Sequence, residues 1–398
     1  MNISDPVVIV SAVRTPLGRF QGELSPLAAP QLGAHVIRAA LDRAGLAPDR
    51  VDEVLMGCVL PAGQGQAPAR QASRKAGLPD AVDATTINKV CGSGMKATML
   101  AHDLILAGSV SIAVAGGMES MTNAPYLLKK ARGGYRVGHD RIYDHMVLDG
   151  LEDAYASGQV MGDFGEATAK SYGFTRADQD AYATETLIRA RAAVEGDAFT
   201  AEIAPIPVPG KGGDVLVEKD ENPLKVSPDK IPNLKPAFGK DGTITPASSS
   251  ANADGAAALL LTRRSIAEKE GLPILAEIKG HATHSQEPEW FTTAPIPAIK
   301  KLLAKVNWTA REVDLFEINE AFAVVAMAAA KELGIPRDRL NVNGGACALG
   351  HPIGATGARL IVTLLHALKA RGLKKGVASL CIGGGEATAI AIELERDA

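Results

Sequence analysis

Aromatic residues are scarce in this chain: Phe, Tyr and Trp make up 4% of its 398 residues. A core without large rings must be filled by small side chains, and abundant alanine with 41 glycines suits helices packed closely on sheets. Charge of one sign is lacking too, since 42 Lys and Arg face 45 Asp and Glu for a net −3. No overall basic field therefore argues for nucleic acid or an anionic membrane surface as partner. No apolar run reaches the roughly 18–20 residues that span a bilayer, and residues 1–10 have no basic region ahead of their short apolar stretch. Four cysteines, Cys58, Cys91, Cys347 and Cys381, show neither CxxC spacing nor a disulfide framework. Reduced thiols and a cytoplasmic location are expected. Gly383-Gly384-Gly385 and Gly116-Gly117 do not fit G-x-G-x-x-G before a helix and an acidic residue, so NAD is not expected. His281-Ala282-Thr283-His284 lacks any supporting cysteine or HExxH context and reads as loop rather than a metal pair.

The most informative residue present is Cys91. Residues 81–90 contain Val82, Thr85, Thr86 and Ile87 and favour a strand, while residues 95–106 place apolar residues at helical spacing up to a stop at Gly108. A cysteine at a strand-to-helix turn has unpaired N–H groups and the positive end of the helix dipole near its sulfur, which predicts a lowered thiol pKa. Gly92 and Gly94 would let a substrate approach the backbone. Two further glycine-rich segments lie near the end of the chain. His351 sits in a loop between Gly350, Pro352 and Gly354, ahead of a helix over about 355–370, and has no apolar helix face to pack on. Cys381 follows a short apolar strand and precedes three glycines, which predicts a sulfur at an open strand end. Two cysteines and a histidine, each at a glycine-rich turn beside an element end, point to nucleophilic and acid–base chemistry.

The chain repeats itself loosely. Residues 50–57 resemble 312–319, residues 112–117 resemble 378–384, and helices over 95–107 and 355–370 fall between them in the same order. Alternating short strands and helices predict βαβ units with a mainly parallel sheet in each half. Two such halves would gather their loops around one crevice. The stretch between them is turn-rich, with a helix over 176–196 and a Pro- and Gly-dense run over 205–246, and reads as an inserted lid or binding subdomain.

Residues 88–97, Asn319-Glu320-Ala321-Phe322-Ala323, residues 344–357 and Cys381-Ile382-Gly383-Gly384-Gly385 together resemble the signature blocks of the thiolases. The resemblance covers essentially the whole chain, including residues 14–18 and 115–120. It implies an α/β fold of two similar five-stranded halves stacked as five layers, α/β/α/β/α, with an inserted loop domain. The expected domains are 1–121 plus 250–271, the insertion 122–249, and 272–398. The resemblance further implies that Cys91 accepts the acyl group, that His351 activates it, and that Cys381 moves the proton at the substrate α-carbon. Asn319 would hold a water in one oxyanion hole, and Gly383 with the Cys91 N–H would form a second. Ser250 matches a serine beside pantetheine, and Met161, Phe238, Ala321 and Phe322 match residues of the acyl and pantetheine channel.

The implied reaction is the reversible joining of two acetyl-CoA into acetoacetyl-CoA and free coenzyme A. Coenzyme A is then substrate and product rather than cofactor, and a homo-oligomer, dimer or tetramer, is implied. A broader-range 3-ketoacyl-CoA thiolase of fatty-acid β-oxidation is the alternative. Two thiols make chemical sense here, one to carry the acyl group and one to deprotonate a weakly acidic methyl. A decarboxylating ketoacyl synthase would need a histidine where Asn319 stands and would lack Cys381. A non-catalytic lipid carrier would have lost Cys91 or His351. The chain departs from the pattern at Val160, where a histidine is often found, and over residues 222–225, which lack an arginine. Phe291 is expected to add bulk over the pocket beside Met161.

Overall fold

The structure, a computed structural model, describes residues 5–395. The outermost residues of the first and last expected domains, 1–4 and 396–398, lie outside the described residues. The first half contributes strands β1 (Val7–Arg14), β2 (Glu53–Gly57), β3 (Asp83–Ile87), β4 (Ile112–Ser120) and β5 (Ala253–Arg263), with helices α1 (Ala29–Ala44), α2 (Pro68–Lys75) and α3 (Ser93–Ala107). β2 runs parallel to β3 and to β4, and β5 is antiparallel to β4 and to β1. Between β4 and β5 the chain makes an excursion carrying α4 (Met161–Tyr172) and α5 (Arg176–Glu195). The second half has β6 (Ala276–Ser285), α6 (Pro295–Val306), β7 (Leu315–Ile318), α7 (Ala323–Leu333), α8 (Ile353–Ala370), β8 (Lys375–Ile382) and β9 (Glu386–Leu394).

The second half repeats four of the first half's five strands. β7 is parallel to β8, and β9 is antiparallel to β8 and to β6. The fifth position differs from expectation: where the first half has β3, the second has one parallel bridge, Phe316 to Leu340. The reason is Asn341, whose backbone turns to φ +47. Its side-chain amide accepts from the Ile318 N–H at 2.9 Å and donates to the Ile318 carbonyl at 2.9 Å, standing in for the strand ladder. The two sheets meet only where β1 pairs with β6, over Val8–Glu277 and Ile9–Ala276.

Layering follows from which faces are apolar. In β5, Ala256, Ala258 and Leu260 point into one buried cluster and Ala257, Leu259 and Leu261 into another. Such a strand is apolar at every position because both its faces are covered. α1 and α2 cover the outer face of the first sheet, α6 and α7 that of the second, and α3 and α8 lie together between them. α8 is long and apolar enough to cross a membrane, although the sequence shows no unbroken apolar run of that length. It is buried along most of its length, as expected of a helix at the centre of five layers.

α3 and α8 touch backbone to backbone at their first turns, and glycines make this possible. A Cβ on Gly57 would lie 2.6 Å from the Gly354 carbonyl and 2.7 Å from the Gly94 nitrogen. One on Gly94 would lie 2.9 Å from the Ala358 nitrogen, and one on Gly117 would strike the Gly354 carbonyl and lie 2.8 Å from the Ala355 Cα. Gly92 faces the Ile382 side chain. Gly94 therefore serves helix packing and Gly92 packing against Ile382 of β8, rather than substrate approach, which corrects the sequence reading. Gly117→Ala should cost about 1–3 kcal/mol of stability by overpacking. Denaturant unfolding checks this, with Gly133→Ala, which meets nothing within 4 Å, as the neutral control.

Candidate active site

The packed helix starts carry the reactive residues. Cys91 ends a turn in which Val90 adopts φ +46, a conformation that a β-branched residue rarely takes and that costs of order 1–3 kcal/mol. Three local bonds hold it. Asn88 Oδ1 accepts the Val90 N–H at 3.0 Å, Ser93 Oγ accepts the Lys89 N–H at 2.8 Å, and the Ser93 hydroxyl donates to the Val90 carbonyl at 2.6 Å. Lys89 Nζ reaches Glu386 at 2.6 Å and ties this turn to the β8–β9 hairpin.

That hairpin turns on Gly384 at φ +95 and Gly385 at φ +89, values that exclude most side chains. It brings the Gly383 N–H to the Cys91 sulfur, where it and the Cys91 N–H both favour thiolate. Loss of solvation nevertheless outweighs them. Although Cys91 is half-buried as a residue, its thiol lies between two apolar clusters and is pushed up to about 11. The lowered pKa expected from the helix start is thus corrected, because burial exceeds the helix-start donors. At pH 7 only about one sulfur in ten thousand is thiolate, so an acceptor for its proton is required.

Cys381 lies at the end of β8, as expected, but its sulfur is fully buried rather than open. Burial first, and then the charge of Cys91, hold its thiol well above the ordinary range. The two sulfurs are thus close enough to influence each other's ionisation. Cys58 and Cys347 are buried with raised pKa values, Cys58 beside Glu119 and Cys347 beside Glu320.

His351 is buried, and burial with the nearby Arg359 charge lowers its pKa to about 3, so the ring is neutral. Its tautomer follows from one neighbour. Thr356 Oγ1 donates to the Pro352 carbonyl at 3.0 Å, so it receives the Nδ1–H of His351 at 2.6 Å. Nε2 then carries the lone pair, and it is buried with no partner among the described residues. The Asn319 side chain is in the same condition, with both amide atoms unpartnered. Its backbone N–H is fixed on the Ser379 carbonyl at 3.0 Å, just past β7. Buried polar groups left free in this way mark a place built for something that binds.

Two carboxylates that sequence reasoning passed over hold these loops. Glu119, at the end of β4, accepts N–H groups of Val59 at 2.9 Å, Leu60 at 3.1 Å and Gly354 at 2.8 Å. It joins the loop after β2 to the start of α8, and burial raises its pKa to about 7. Glu320 accepts from the Tyr182 hydroxyl at 2.9 Å, the Thr186 hydroxyl at 2.9 Å and Asn341 Nδ2 at 2.8 Å, binding α5 to the loop after β7. For Glu119 the signal available was a lone acidic residue near the end of an apolar strand.

A cavity of about 590 Å³ lies beside this centre, although Cys91, His351, Cys381, Asn319 and Gly383 are not among its lining residues. Met161, Phe238, Phe322 and Ser250 line it, as does Val160. Ala321 does not. It packs in the core behind the wall, and its carbonyl accepts the Ser250 N–H at 2.9 Å. Phe291 is also displaced from its expected place, since it is buried against Phe164 at 6.4 Å between ring centroids and does not line the cavity. The inner end is narrow, for Met161 Sδ would lie 3.2 Å from a Cβ at Gly383, with Val90 Cγ1 at 3.9 Å. His281 and His284 lie on β6 rather than in a loop and do not converge. His281 Nε2 is 2.9 Å from Asp103 Oδ1, which also meets His102, while His284 turns to Gln286.

Paired buried thiols beside a neutral imidazole, on two repeated α/β halves, define an enzyme of covalent thiol chemistry. Residues 7–265 match the family described as "Thiolase, N-terminal domain", and residues 272–394 match "Thiolase, C-terminal domain". The chain belongs to the thiolase family. It is 49% identical over 389 residues to an acetyl-CoA acetyltransferase of Cupriavidus necator, covering 97% of this chain and 99% of that protein. It is likewise 49% identical to an Escherichia coli acetyl-CoA acetyltransferase over 388 residues, covering 97% and 98%. Among solved structures, an Ascaris suum thiolase in complex with coenzyme A superimposes with a TM-score of 0.93 at 42% identity, covering 98% of this chain and all of that one.

The protonation states give a direct expectation. Burial holds the Cys91 thiol up and the His351 imidazole down, so moving the proton from one to the other is uphill. The resting pair is therefore thiol and imidazole. Alkylation of Cys91 by iodoacetamide should rise about tenfold per pH unit from pH 7 to 10. A rate already flat below pH 7 would show a resting thiolate–imidazolium pair instead.

Proposed function

We propose that the protein is an acetyl-CoA C-acetyltransferase that joins two acetyl-CoA into acetoacetyl-CoA and coenzyme A, reversibly and by a ping-pong cycle. The observation that carries this is the pairing of the Cys91 and Cys381 thiols where the start of α3 packs on the start of α8, the helix that follows His351 with its free Nε2. The names of the relatives support the substrate.

Cys91 attacks the thioester carbonyl while its proton passes to His351 Nε2, and the Cys381 thiol gives its proton to the departing coenzyme A sulfur, leaving acetyl-Cys91, a Cys381 thiolate and a protonated His351. Because the resting pair is neutral, proton transfer accompanies attack. The Gly383 and Cys91 N–H groups that point at the sulfur lie where the oxyanion of the tetrahedral intermediate would form. The Cys381 thiolate left by that step then takes a proton from the methyl of the second acetyl-CoA and returns to thiol. The unpartnered amide of Asn319, through a water, and the protonated His351 Nε2 donate to the enolate oxygen as the new carbon–carbon bond forms to the acetyl carbon, and the expelled Cys91 sulfur takes back the His351 proton. Removing one such donor typically costs about 2.7–4 kcal/mol of barrier.

The two thiols are separable by experiment. Labelled acetyl-CoA should acylate Cys91 in the wild type and in Cys381→Ser but not in Cys91→Ala. Cys381→Ser should lose α-deuterium exchange of acetyl-CoA by about a hundredfold or more. Label on Cys58 or Cys347, or unchanged exchange in Cys381→Ser, would contradict these roles.

Chain length is set by the narrow inner end, where Met161 and Val90 crowd Gly383. Each added methylene would gain about 0.8 kcal/mol if accommodated, but overpacking costs more. Thiolysis of acetoacetyl-CoA should exceed that of 3-ketohexanoyl-CoA by at least about tenfold in kcat/KM, roughly 1.4 kcal/mol. Equal values would place the protein with the broad-range degradative thiolases.

A further inference from the structure

The wall of the 590 Å³ cavity is apolar over most of its extent, with Val147, Leu151, Met161, Leu187 and Phe238 among its residues. Among the described residues it carries one charge, Arg19. The backbone of Arg19 is fixed. Its N–H donates to Glu221 Oε2 at 3.0 Å, and Gly18–Arg19 pairs with the start of β5 at Asp254 and Ala253. The segment beyond is pinned by a buried ion cluster, with Arg14 on Glu202 at 2.5 Å and on Asp220 at 2.6 Å, and Asp220 also accepting the Leu17 N–H at 2.8 Å.

The Arg19 guanidinium itself is exposed and has no partner among the described residues, unlike its neighbours. Arg14 is consumed by two carboxylates, and Arg191 by the carbonyls of Pro223 and Val226. Glu221 is the nearby acid, and its Oε2 takes the N–H groups of Arg19 and Glu23 rather than the guanidinium. An arginine held by its backbone, whose guanidinium pairs with no carboxylate among the described residues, on a wall otherwise suited to an apolar chain, fits a ligand with a long weakly polar arm and an anionic end. Coenzyme A is such a molecule, since pantetheine carries a diphosphate and a 3′-phosphate at its far end, and arginine is the side chain best matched to phosphate oxygens.

We propose that Arg19 binds the phosphates at the nucleotide end of coenzyme A and so sets the affinity for the acyl carrier without touching the reacting atoms. This deepens the thiolase reading and rests on it. The test compares wild type, Arg19→Ala and Arg19→Lys in thiolysis with coenzyme A, dephospho-coenzyme A or pantetheine as the accepting thiol, with calorimetric binding of each thiol alongside.

Arg19→Ala should raise KM for coenzyme A about tenfold, the scale of one charge-assisted contact, with kcat within about twofold. KM for pantetheine should be the same in all three proteins, and Arg19→Lys should recover part of the loss. A penalty that vanishes with dephospho-coenzyme A assigns the contact to the 3′-phosphate, and one that persists assigns it to the diphosphate. Unchanged KM for coenzyme A in Arg19→Ala, or a parallel rise for pantetheine, overturns the proposal. Wild-type protein that binds coenzyme A but cleaves no 3-ketoacyl thioester overturns the reading of activity alone, because calorimetry still scores Arg19.

Discussion

Everything at the proposed catalytic centre depends on the close approach of two helix starts. α3 begins one residue after Gly92 and α8 two residues after His351, and both reach the C-terminal ends of β2 and β4. With a Cβ at Gly57, Gly94 or Gly117 the backbones could not meet, and Cys91 and His351 would move apart. The repeat of the βαβ unit supplies this approach, since each half contributes one central helix with its N-terminus at the same crevice. Glu119 reinforces it, holding the Gly354 N–H from one half and the N–H groups of Val59 and Leu60 from the other.

Burial at that approach decides the chemistry. Helix starts and N–H donors favour a thiolate, yet the layers above and below remove so much solvent that both thiols and the imidazole rest neutral. A neutral site stores no charge that must be neutralised in the folded state, and it develops charge only as the thioester is attacked. The cost is that the acceptor must be aimed in advance. Thr356 does this through Nδ1, leaving Nε2 free. The strain at Val90 and the three bonds around it do the same for Cys91.

The excursion between β4 and β5 serves the site from outside. Residues 248–250 zip onto 321–323, with Ser250 on Ala321 and the Ala323 N–H on the Ser248 carbonyl at 2.8 Å. α5 reaches the loop after β7 through Tyr182, Thr186 and Glu320. The cavity wall is thus built by the insertion yet anchored to the second half. A change in it should alter how the carrier binds before it alters the sulfur chemistry.

Much of this was legible in the sequence because it is local or periodic. The helices after Cys91 and His351, the apolar strands, and the repeat between residues 50–57 and 312–319 all follow from spacing, and the three reactive residues stood out at glycine-rich turns. Three-dimensional packing decided the rest. The glycines around Cys91 read as openings for substrate because sequence cannot show that another helix's backbone fills the space. The thiol pKa was misjudged for the same reason, since the dipole is a property of one helix while desolvation belongs to all five layers. Phe291 and Ala321 turned away from the cavity, and Arg19, Thr356, Glu119 and Glu320 gained their places from partners 5 to more than 200 positions away. Sequence determined which groups could react; tertiary structure decided their ionisation, their tautomer and what reaches them, because those depend on solvent removed by residues far along the chain.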